Sequence, residues 1–357
     1  MSVANETQAP ALPTTMRAGR ILAPNRVDVA TVPLPEVGPD DVLVRVARAG
    51  ICGTDIHILE GDYELARFPL IPGHEFAGTV VAVGANVGLH GVGDRVTADP
   101  NLPCGRCPEC QRGAVNQCHD LAVVGVSRDG AFAEYVAVPE RVVVNIGDLS
   151  FAEGAMVEPV ACVAWGLKRL RLEPGSRALL FGAGPMGCQL IQALKGAGAS
   201  AVAVVDVAPS RLAMARRLGA DLALLPDELA AARELAPLGF ELVVDATGVP
   251  AVIEGALAHA RPGGTLWVFG VAPGDARVAV APYELFRRDL SIVGSFAINQ
   301  TVPAAVSMVR SGAIDVAPLV SHVLDIERFE EGLEIAMRDP ERMKVQFSFG
   351  PEGEAAA

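Results

Sequence analysis

Residues 177–190 of this chain, RALLFGAGPMGCQL, decide its fold. A short apolar run leads into the spacing G-x-G-x-x-G, formed by Gly182, Gly184 and Gly187, and a helix-like segment follows. A second apolar run then ends at the acidic residue Asp206. A strand, a glycine loop, a helix and a distal acidic residue, in this order, are the context in which the motif marks a dinucleotide-binding unit. An ordinary turn between a strand and a helix is the alternative.

The motif gives a physical role to each residue around it. The first glycine permits a tight turn, the second lets the backbone approach a pyrophosphate, and the third allows the helix to pack closely. Pro185 and Met186 open that helix, whose N-terminus stabilises phosphates. Asp206 is predicted to accept hydrogen bonds from both ribose hydroxyls and to repel a 2′-phosphate, so we expect NAD rather than NADP. Arg211 is the alternative, since its charge suits a phosphate.

The sequence around this motif alternates between strand-like and helix-like segments. Short apolar runs are typical of strands buried on both faces of a parallel sheet, and they occur at 178–181, 201–206, 242–246 and 265–269. Helix-like segments lie between them, at 186–197, 209–218 and 250–259. This alternation predicts a doubly wound α/β domain over residues 166–297. We expect its strand ends to line the cofactor with Thr247, Val271, Ser295 and Phe296.

The first 150 residues follow a different pattern. Short predicted strands at 76–83, 94–98, 132–138 and 142–146 are separated by Gly and Pro turns, which is typical of a partly closed β domain. The strand and helix rhythm weakens again after the α/β segment, so we expect the end of the chain to pack back on this β domain. The predicted domains are a flexible tail at 1–16, a discontinuous β-rich domain at 17–165 and 298–357, and the α/β domain.

Composition excludes several classes of protein. The chain has 357 residues, enough for about two domains, and 51% of them are hydrophobic, which argues against a disordered protein. Its net charge is −13 without a basic stripe, so nucleic acid and anionic membranes are not expected partners. We find neither a signal peptide nor a long apolar run. The seven cysteines then indicate metal binding in a reducing, cytoplasmic compartment.

Four of the cysteines form one local cluster. Cys104, Cys107, Cys110 and Cys118 follow the spacing C-x2-C-x2-C-x7-C in a loop rich in Gly, Pro and Arg. Four thiolates complete a tetrahedral zinc shell and leave no open position, so this site is predicted to be structural. Two disulfides or four free thiols are the alternative, and so closely spaced a pair strains a disulfide.

A second set of candidate ligands is dispersed. Cys52 lies in GICGTDIH at 50–57, His74 and Glu75 are adjacent, and Glu158 precedes the α/β domain. A catalytic zinc takes about three protein ligands and keeps one position open. Cys52, His74 and one or two of the glutamates supply such a set of ligands. Taken singly, Cys52 or His74 is equally compatible with a buried structural residue. Cys162 and Cys188 are interpreted as packing residues in helices.

The chain resembles the zinc-dependent medium-chain dehydrogenase/reductase superfamily. Within it, the chain is most similar to the branch of sorbitol or polyol dehydrogenases and threonine dehydrogenases. The motifs that carry the resemblance run from residue 50 to 187: GICGTDIH (50–57), PGHEFAGTVVAVG (72–84), GDRV (93–96), CGRCPEC…C (104–118), FAEY (132–135), VEPVACVAWG (157–166) and GAGPMG (182–187). The resemblance implies a GroES-like β domain with a Rossmann domain inserted before a C-terminal return.

The resemblance also implies roles for single residues. Cys52, His74 and Glu75 become ligands of a catalytic zinc, and Glu158 becomes a further ligand or a group that holds the zinc-bound water. Which glutamate binds directly stays open. Thr54 matches the hydroxyl that receives the proton of the substrate alcohol. His57 matches the residue that passes this proton to solvent.

The implied reaction is hydride transfer between NAD and a secondary alcohol of a polyol, sugar alcohol or diol, giving the ketone, in a homotetramer or homodimer with two zinc ions per chain. Alternatives are an L-threonine 3-dehydrogenase or another zinc alcohol dehydrogenase, a reductase without catalytic zinc, and a non-catalytic nucleotide sensor with one structural zinc. Sorbitol-type members carry an arginine where Ala297 stands. We expect Asn299 to replace it as a neutral hydrogen-bonding group, and Glu60, Asp62 and Tyr63 to face the substrate.

Overall fold

The computed structural model describes residues 12–350. Most of the tail predicted at 1–16 lies outside the described residues, and the first strand begins at Thr15, inside that range. No helix of the described segment has the length and apolarity required to cross a bilayer.

Strands and helices are numbered here in chain order. The strands are β1 Thr15–Ala23, β2 Arg26–Pro33, β3 Asp41–Gly50, β4 Glu75–Val83, β5 Arg95–Ala98, β6 Asn101–Leu102, β7 Ala122–Val123, β8 Tyr135–Pro139, β9 Val143–Asn145, β10 Arg177–Phe181, β11 Ala201–Val205, β12 Leu222–Leu224, β13 Phe240–Asp245, β14 Ala260–Val268, β15 Ser291–Gly294, β16 Val320–Asp325 and β17 Lys344–Ser348. The α-helices are α1 Gly53–Glu60, α2 Pro108–Gln111, α3 Phe151–Ala155, α4 Val157–Arg169, α5 Pro185–Gly196, α6 Pro209–Arg217, α7 Pro250–Ala256, α8 Pro282–Arg287, α9 Val302–Arg310 and α10 Phe329–Arg338. Short 3₁₀ helices lie at Val115–Gln117, Glu140–Val142, Pro226–Glu234, Leu257–His259, Ala317–Leu319 and Ile326–Arg328.

One sheet is built from both ends of the described chain. Its order is β16-β17-β3-β4-β5-β9, and β8 also pairs with β3. The antiparallel register of β3 and β4 sets Gly50 opposite Glu75, and the register of β17 on β3 sets Gln346 opposite Gly50. These three strands therefore bring residues near 50, 75 and 345 to one place, although they are far apart in sequence.

Aromatic packing holds the returning C-terminal segment on this sheet. Phe132 lies between Phe329 of α10 and Phe347 of β17, with ring centroids 5.7 and 5.1 Å away. All three rings are fully buried, and each contributes about 1.5–3 kcal/mol by leaving water. Residues 302–319 pack instead with α4 and α5, so the return into the sheet begins at β16.

A second sheet is entirely parallel. Its order is β12-β11-β10-β13-β14-β15, the sequential strand order 3-2-1-4-5-6 of a dinucleotide-binding fold. Neighbouring side chains of β10 face opposite layers: Ala178 and Leu180 pack with α4 and α5, while Leu179 packs with the layer that contains Val243 and Ala256. Burial on both faces explains the continuous apolar runs in the sequence.

The strand ends of this sheet are aligned. One row of paired residues crosses it through Phe181, Asp245, Val268 and Gly294. The residues that follow each strand therefore lie along the same carboxyl edge, where open parallel sheets bind their ligands. One boundary differs from expectation, because β14 begins at Ala260 and includes the Pro-Gly-Gly segment, with a register shift opposite Phe240 and Leu242.

Candidate active site

Cys52, His74 and Glu75 lie together. One potential ligand atom of each, a sulfur, a ring nitrogen and a carboxylate oxygen, lies within 4.8 Å of the others. Two ligands of one tetrahedral zinc ion, each about 2.0–2.3 Å from the metal, lie about 3.3–3.8 Å apart, so these atoms are near coordinating separation. His74 and Glu75 are buried, and Cys52 is partly buried. Burial and the adjacent Glu75 carboxylate raise the pKa of the Cys52 thiol to about 12. A buried thiol among carboxylates is a donor set that fits a divalent cation.

The local sequence places these ligands at strand ends. Cys52 follows β3 and precedes α1, and Glu75 is the first residue of β4, directly across from Gly50. A side chain at Gly50 would collide with the Glu75 carboxylate, because a Cβ there would lie 2.4 Å from Oε2. The glycine therefore leaves room for the carboxylate beside Cys52.

Lys344 neutralises Glu75. Its Nζ lies 2.7 Å from both carboxylate oxygens and donates a third hydrogen bond to the Ile51 carbonyl at 3.1 Å. Both side chains are buried. Burial alone would lower the pKa of Lys344, but the charge and hydrogen bond of Glu75 together with the charges of Cys52 and Glu158 outweigh it, and the net pKa is raised. Sequence reasoning missed Lys344, because it lies 269 residues from its partner and only the pairing of β17 with β3 brings the two together.

Glu158 lies next to this group but is not one of the three whose ligand atoms are mutually within 4.8 Å. It is buried in the first turn of α4, and Cys162, one turn later, contacts its Oε1 through Sγ at 3.6 Å. Burial, with the charges of Glu75 and Cys52, raises the pKa of Glu158 to about 8. The sequence left open whether Glu75 or Glu158 binds directly, and Glu75 has the closer geometry.

The two proton-relay candidates lie on α1, one turn apart. Thr54 Oγ1 is 3.7 Å from Cys52 Sγ. His57, one turn further along, is one-third exposed, and its Nδ1 lies 3.3 Å from the Asp62 carboxylate. Their order on one helix leads away from Cys52 toward the exposed Glu60 at the end of α1. His57, Glu60 and Asp62 also have ligand atoms near one another, as exposed acidic groups commonly do.

The four clustered cysteines converge as their spacing predicts. Cys104, Cys107, Cys110 and Cys118 bring their sulfurs within 4.8 Å of one another, and none forms a disulfide. Hydrogen bonds from the Cys110 and His119 N–H groups lower the pKa of Cys107 to about 6. Backbone donors of this kind stabilise thiolates, which is the form that binds zinc. Residues 104–118 are called the cysteine lobe below.

The glycine loop has the shape that a pyrophosphate requires. Gly182 has a φ of 99°, and a Cβ at Gly187 would lie 2.0 Å from the Gly182 oxygen, so both positions exclude side chains. A Cβ at Gly184 would meet nothing within 4 Å, so space beside it is open. Pro185 and Met186 begin α5, whose N–H groups face this loop.

Asp206 supports this loop directly. Its Oδ2 accepts from Ala183 N at 2.7 Å and its Oδ1 from Ala208 N at 2.9 Å. The side chain is only 8% exposed, so its carboxylate shapes the loop. Arg211 lies nearby with its Nε buried and lacking a hydrogen-bond partner among the described residues. Burial and the positive charge of Arg211 lower the pKa of Arg342.

The remaining predicted cofactor residues lie at the carboxyl edge of the parallel sheet. Thr247 hydrogen-bonds through its N–H and hydroxyl to Asp245, a buried carboxylate. Ser295 Oγ accepts from Trp267 Nε1 at 3.0 Å. Val271 and Phe296 are 72% and 46% exposed, as apolar side chains beside an open groove would be.

Comparisons with known proteins agree with this geometry. Residues 38–148 match the alcohol dehydrogenase GroES-like domain family, and residues 185–311 match the zinc-binding dehydrogenase family. A D-altritol 5-dehydrogenase from Agrobacterium fabrum is 40% identical and covers 93% of this chain and 99% of its own. A D-arabinitol dehydrogenase from Uromyces fabae is 38% identical and covers 90% and 94%.

A zinc-binding dehydrogenase from Sinorhizobium meliloti, solved with NADP bound, superposes with a TM-score of 0.89 at 32% identity and covers 94% of this chain and 100% of its own. The chain belongs to the zinc-dependent alcohol dehydrogenase family. This dehydrogenase is an oxidoreductase that acts on alcohols, and the predicted family, fold class and enzyme class are confirmed.

A residue within the quoted GICGTDIH motif of this dehydrogenase was not predicted to act. Asp55 is fully buried, with Oδ1 3.7 Å from His74 Nδ1. It also accepts N–H groups from Cys52 at 2.8 Å and Gly73 at 3.3 Å. It therefore fixes the backbone on both sides of the ligand group and lies behind the imidazole, as carboxylates behind metal-binding histidines do. Its position three residues after Cys52 was the available signal.

Asn299 does not have the position expected for a substrate contact in this dehydrogenase. Its Oδ1 accepts from Val115 N at 3.2 Å and its Nδ2 donates to the Gly113 carbonyl at 3.0 Å. The oxygen and the nitrogen of this side-chain amide thus both bond the cysteine lobe. The sequence alone gave no sign of this, since 184 residues separate Asn299 from Val115.

Proposed function

We propose that this dehydrogenase oxidises a secondary alcohol of a polyol, sugar alcohol or diol to the ketone with NAD. The observation that carries the proposal is the buried group of Cys52, His74 and Glu75 in a chain that also has a complete dinucleotide loop. The similarity to enzymes named for D-altritol, D-arabinitol and sorbitol supports the substrate class.

The catalytic zinc fits Cys52, His74 and Glu75, with Glu158 as the further group, and the structural zinc fits the four cysteines of the lobe. Bound zinc supplies Lewis acidity that makes an alcohol proton easier to remove, and bound nicotinamide supplies the hydride acceptor. Lys344 offsets the charge of Glu75, so one buried carboxylate remains neutralised whatever else the group binds.

Thr54 and His57 move the substrate proton outward. The Thr54 hydroxyl is close to the ligand group, and it accepts the proton of the alcohol as it gives up its own proton toward His57. His57 accepts it at the solvent end of α1, where the Asp62 carboxylate orients the ring through Nδ1 at 3.3 Å. Removing the proton along this path is general base catalysis, which typically contributes about 10²–10⁴-fold to a rate.

Asp206 is the basis for preferring NAD. Its carboxylate, directly after β11, is expected to repel a 2′-phosphate, and the Sinorhizobium meliloti neighbour with bound NADP makes the choice worth testing. Asp206→Ser removes that charge and leaves Arg211 in place. We expect the NAD to NADP ratio of kcat/KM to fall about tenfold or more, and an unchanged ratio would remove Asp206 from this role.

Ala297, which replaces the arginine of sorbitol-type enzymes, leaves the polyol without one charged partner. Glu60, Asp62 and Tyr63 remain as the polar groups near α1 that could contact substrate hydroxyls. Their two carboxylates suit neutral polyols, whose hydroxyls donate hydrogen bonds, and do not suit anionic substrates.

A homo-oligomer is part of the proposal. The edge strand β15 has Ile292 43% exposed, and the nearby helix α8 exposes Tyr283 and Phe286. An exposed apolar edge strand is a template for pairing with a second copy of the chain. The seven cysteines are all unpaired, which supports the proposed cytoplasmic compartment.

The deciding experiment follows NADH or NADPH absorbance with pentitols, hexitols, diols and L-threonine, with NAD and NADP in parallel. Turnover of a polyol or diol with NAD is the expected result. Turnover of L-threonine alone would replace the substrate class. Binding of NADH with one zinc ion per chain and no turnover on any alcohol would instead favour the non-catalytic nucleotide sensor. No turnover with two zinc ions bound would refute the substrate class alone.

A further inference from the structure

The segment that follows the last parallel strand, β15, lies at the carboxyl edge of the sheet. Residues 295–300, called the exit segment here, follow β15 at the row that also contains Phe181, Asp245 and Val268. In this fold a dinucleotide crosses the sheet between β10 and β13, so its second half lies over β13 to β15. The exit segment therefore borders the nicotinamide end of the groove, and its conformation shapes that end.

Its backbone is strained. Ala297 has a φ of 48° and Gln300 a φ of 57°, so two non-glycine residues within four positions occupy the left-handed region. Such residues are energetically unfavourable and persist only where surrounding contacts enforce them. The contacts that enforce them identify what controls this part of the groove.

Three amide side chains provide those contacts. Asn116 Nδ2 donates to the Phe296 carbonyl at 2.7 Å, and Asn101 Nδ2 donates to the Ile298 carbonyl at 3.4 Å. Asn299, which is itself part of the exit segment, bonds the cysteine lobe: its amide accepts from Val115 N and donates to the Gly113 carbonyl. Asn101 and Asn116 are both buried, so water does not compete for them.

All the partners of Asn299 lie inside the cysteine lobe. Gly113, Val115 and Asn116 belong to the return between Cys110 and Cys118. The positions of those two sulfurs fix the two ends of this return, so the geometry of the lobe is transmitted to the exit segment. The lobe therefore contacts the cofactor edge of the parallel sheet and does more than stabilise its own loop.

We propose that Asn299 is a positioning residue that couples the cysteine lobe to the nicotinamide end of the cofactor groove. Zinc in the lobe holds the 113–116 backbone, Asn299 and Asn116 hold the exit segment, and nucleotide binding and zinc retention in the lobe are thereby linked. The inference rests on the proposed nicotinamide-dependent function. Because linkage is reciprocal, each ligand changes the affinity for the other by the same factor.

The first test is the dissociation constant of NADH, measured by the fluorescence of the bound nucleotide. Asn299→Ala removes both hydrogen bonds to the lobe, and we expect the dissociation constant to rise about tenfold while two zinc ions per chain are retained. Asn86→Ala is the matched control, because it removes a side-chain amide that donates to Asp40 on an exposed surface. The control is expected to bind NADH as the wild type does. Equal NADH affinity in Asn299→Ala and wild type would overturn the proposal.

The second test separates coupling from general damage. In Cys52→Ala only the lobe zinc is expected to remain, so its affinity can be measured by competition with a chelator of known affinity. Saturating NADH is expected to raise that affinity about tenfold in Cys52→Ala and less than twofold in Cys52→Ala/Asn299→Ala. If NADH has no effect on the zinc affinity of Cys52→Ala, the proposed coupling is refuted. A wild-type protein that binds no nicotinamide nucleotide would instead refute the proposed function itself.

Discussion

The two candidate metal-binding groups of this dehydrogenase are assembled in opposite ways. The cysteine lobe collects four like ligands from positions 104–118, within one loop. The other group collects a thiol, an imidazole and a carboxylate from the ends of two strands and needs Lys344 from the far end of the chain. A local loop can preorganise four thiolates without help from the fold. The group of Cys52, His74 and Glu75, called the mixed group here, exists only once the sheet has formed.

The difference extends to chemistry. Four thiolates saturate a tetrahedral zinc, so the lobe has no position for a substrate. The mixed group has three close ligands, a fourth candidate in Glu158, and two neighbours, Thr54 and His57, that lead toward solvent. We propose that the lobe stabilises structure and the mixed group performs chemistry, and the following predictions test that division from the largest expected effect to the smallest.

Cys52→Ala should lower kcat/KM about ten-thousandfold, because it removes the one thiolate that holds the catalytic metal. Zinc content should fall from two ions to one per chain while NADH still binds. Cys162→Ala, a neighbouring cysteine outside the ligand group, should keep both ions. Near-normal turnover by Cys52→Ala would contradict catalysis at this group.

Cys107→Ser should lower the free energy of unfolding by about 4 kcal/mol, since loss of a structural metal belongs to the largest class of single-site effects. Urea unfolding and metal analysis provide the measurement. Arg106→Ala is the matched control, an exposed residue of the same loop whose backbone N–H is retained. A Cys107→Ser protein with wild-type stability and two zinc ions would show that the lobe is not a structural metal site.

Lys344→Met should lower the free energy of unfolding by about 3 kcal/mol, because it leaves the buried Glu75 carboxylate without its ammonium partner. Combining it with Glu75→Gln should cost less than the sum of the two single changes, since the two residues contact each other. Urea unfolding of all four proteins measures the coupling. Additive losses would mean that Lys344 does not support the mixed group.

Glu241 provides a baseline outside both groups, at the starts of the parallel strands. Burial opposes its ionisation, but hydrogen bonds from Arg177 and Arg261 outweigh this and lower its pKa to about 2. An acid whose pKa is lowered by folding adds stability above its unfolded pKa and loses it as pH falls toward the folded value.

Glu241→Gln should therefore cost about 2 kcal/mol at neutral pH, after allowance for a side chain that is 24% exposed. The difference from wild type should shrink as pH falls from about 4.5 toward 2. Chemical unfolding at several pH values measures it. A loss that stays constant with pH would show that the charge of Glu241 is not its cause.

The sequence predicted most of what local spacing controls. Gly182, Gly184 and Gly187 with Asp206, and the four cysteines, are patterns that short segments of chain specify by themselves. Most strand and helix positions in the parallel domain were predicted to within a few residues, because strands buried on both faces show continuous apolar runs. Asp206 shows the limit of such patterns. The motif predicts that its carboxylate binds ribose hydroxyls, whereas in the structure the carboxylate accepts a hydrogen bond from Ala183 N in the glycine loop.

By itself, the sequence determined the family, the order of the two domain types, the cysteine lobe and the residue types available for chemistry. The tertiary structure alone decided that Lys344 neutralises Glu75, that Asp55 lies behind His74, and that Asn299 binds the lobe. The reason is that strand register and chain return bring together residues separated by up to 269 positions, and no local periodicity records such pairings.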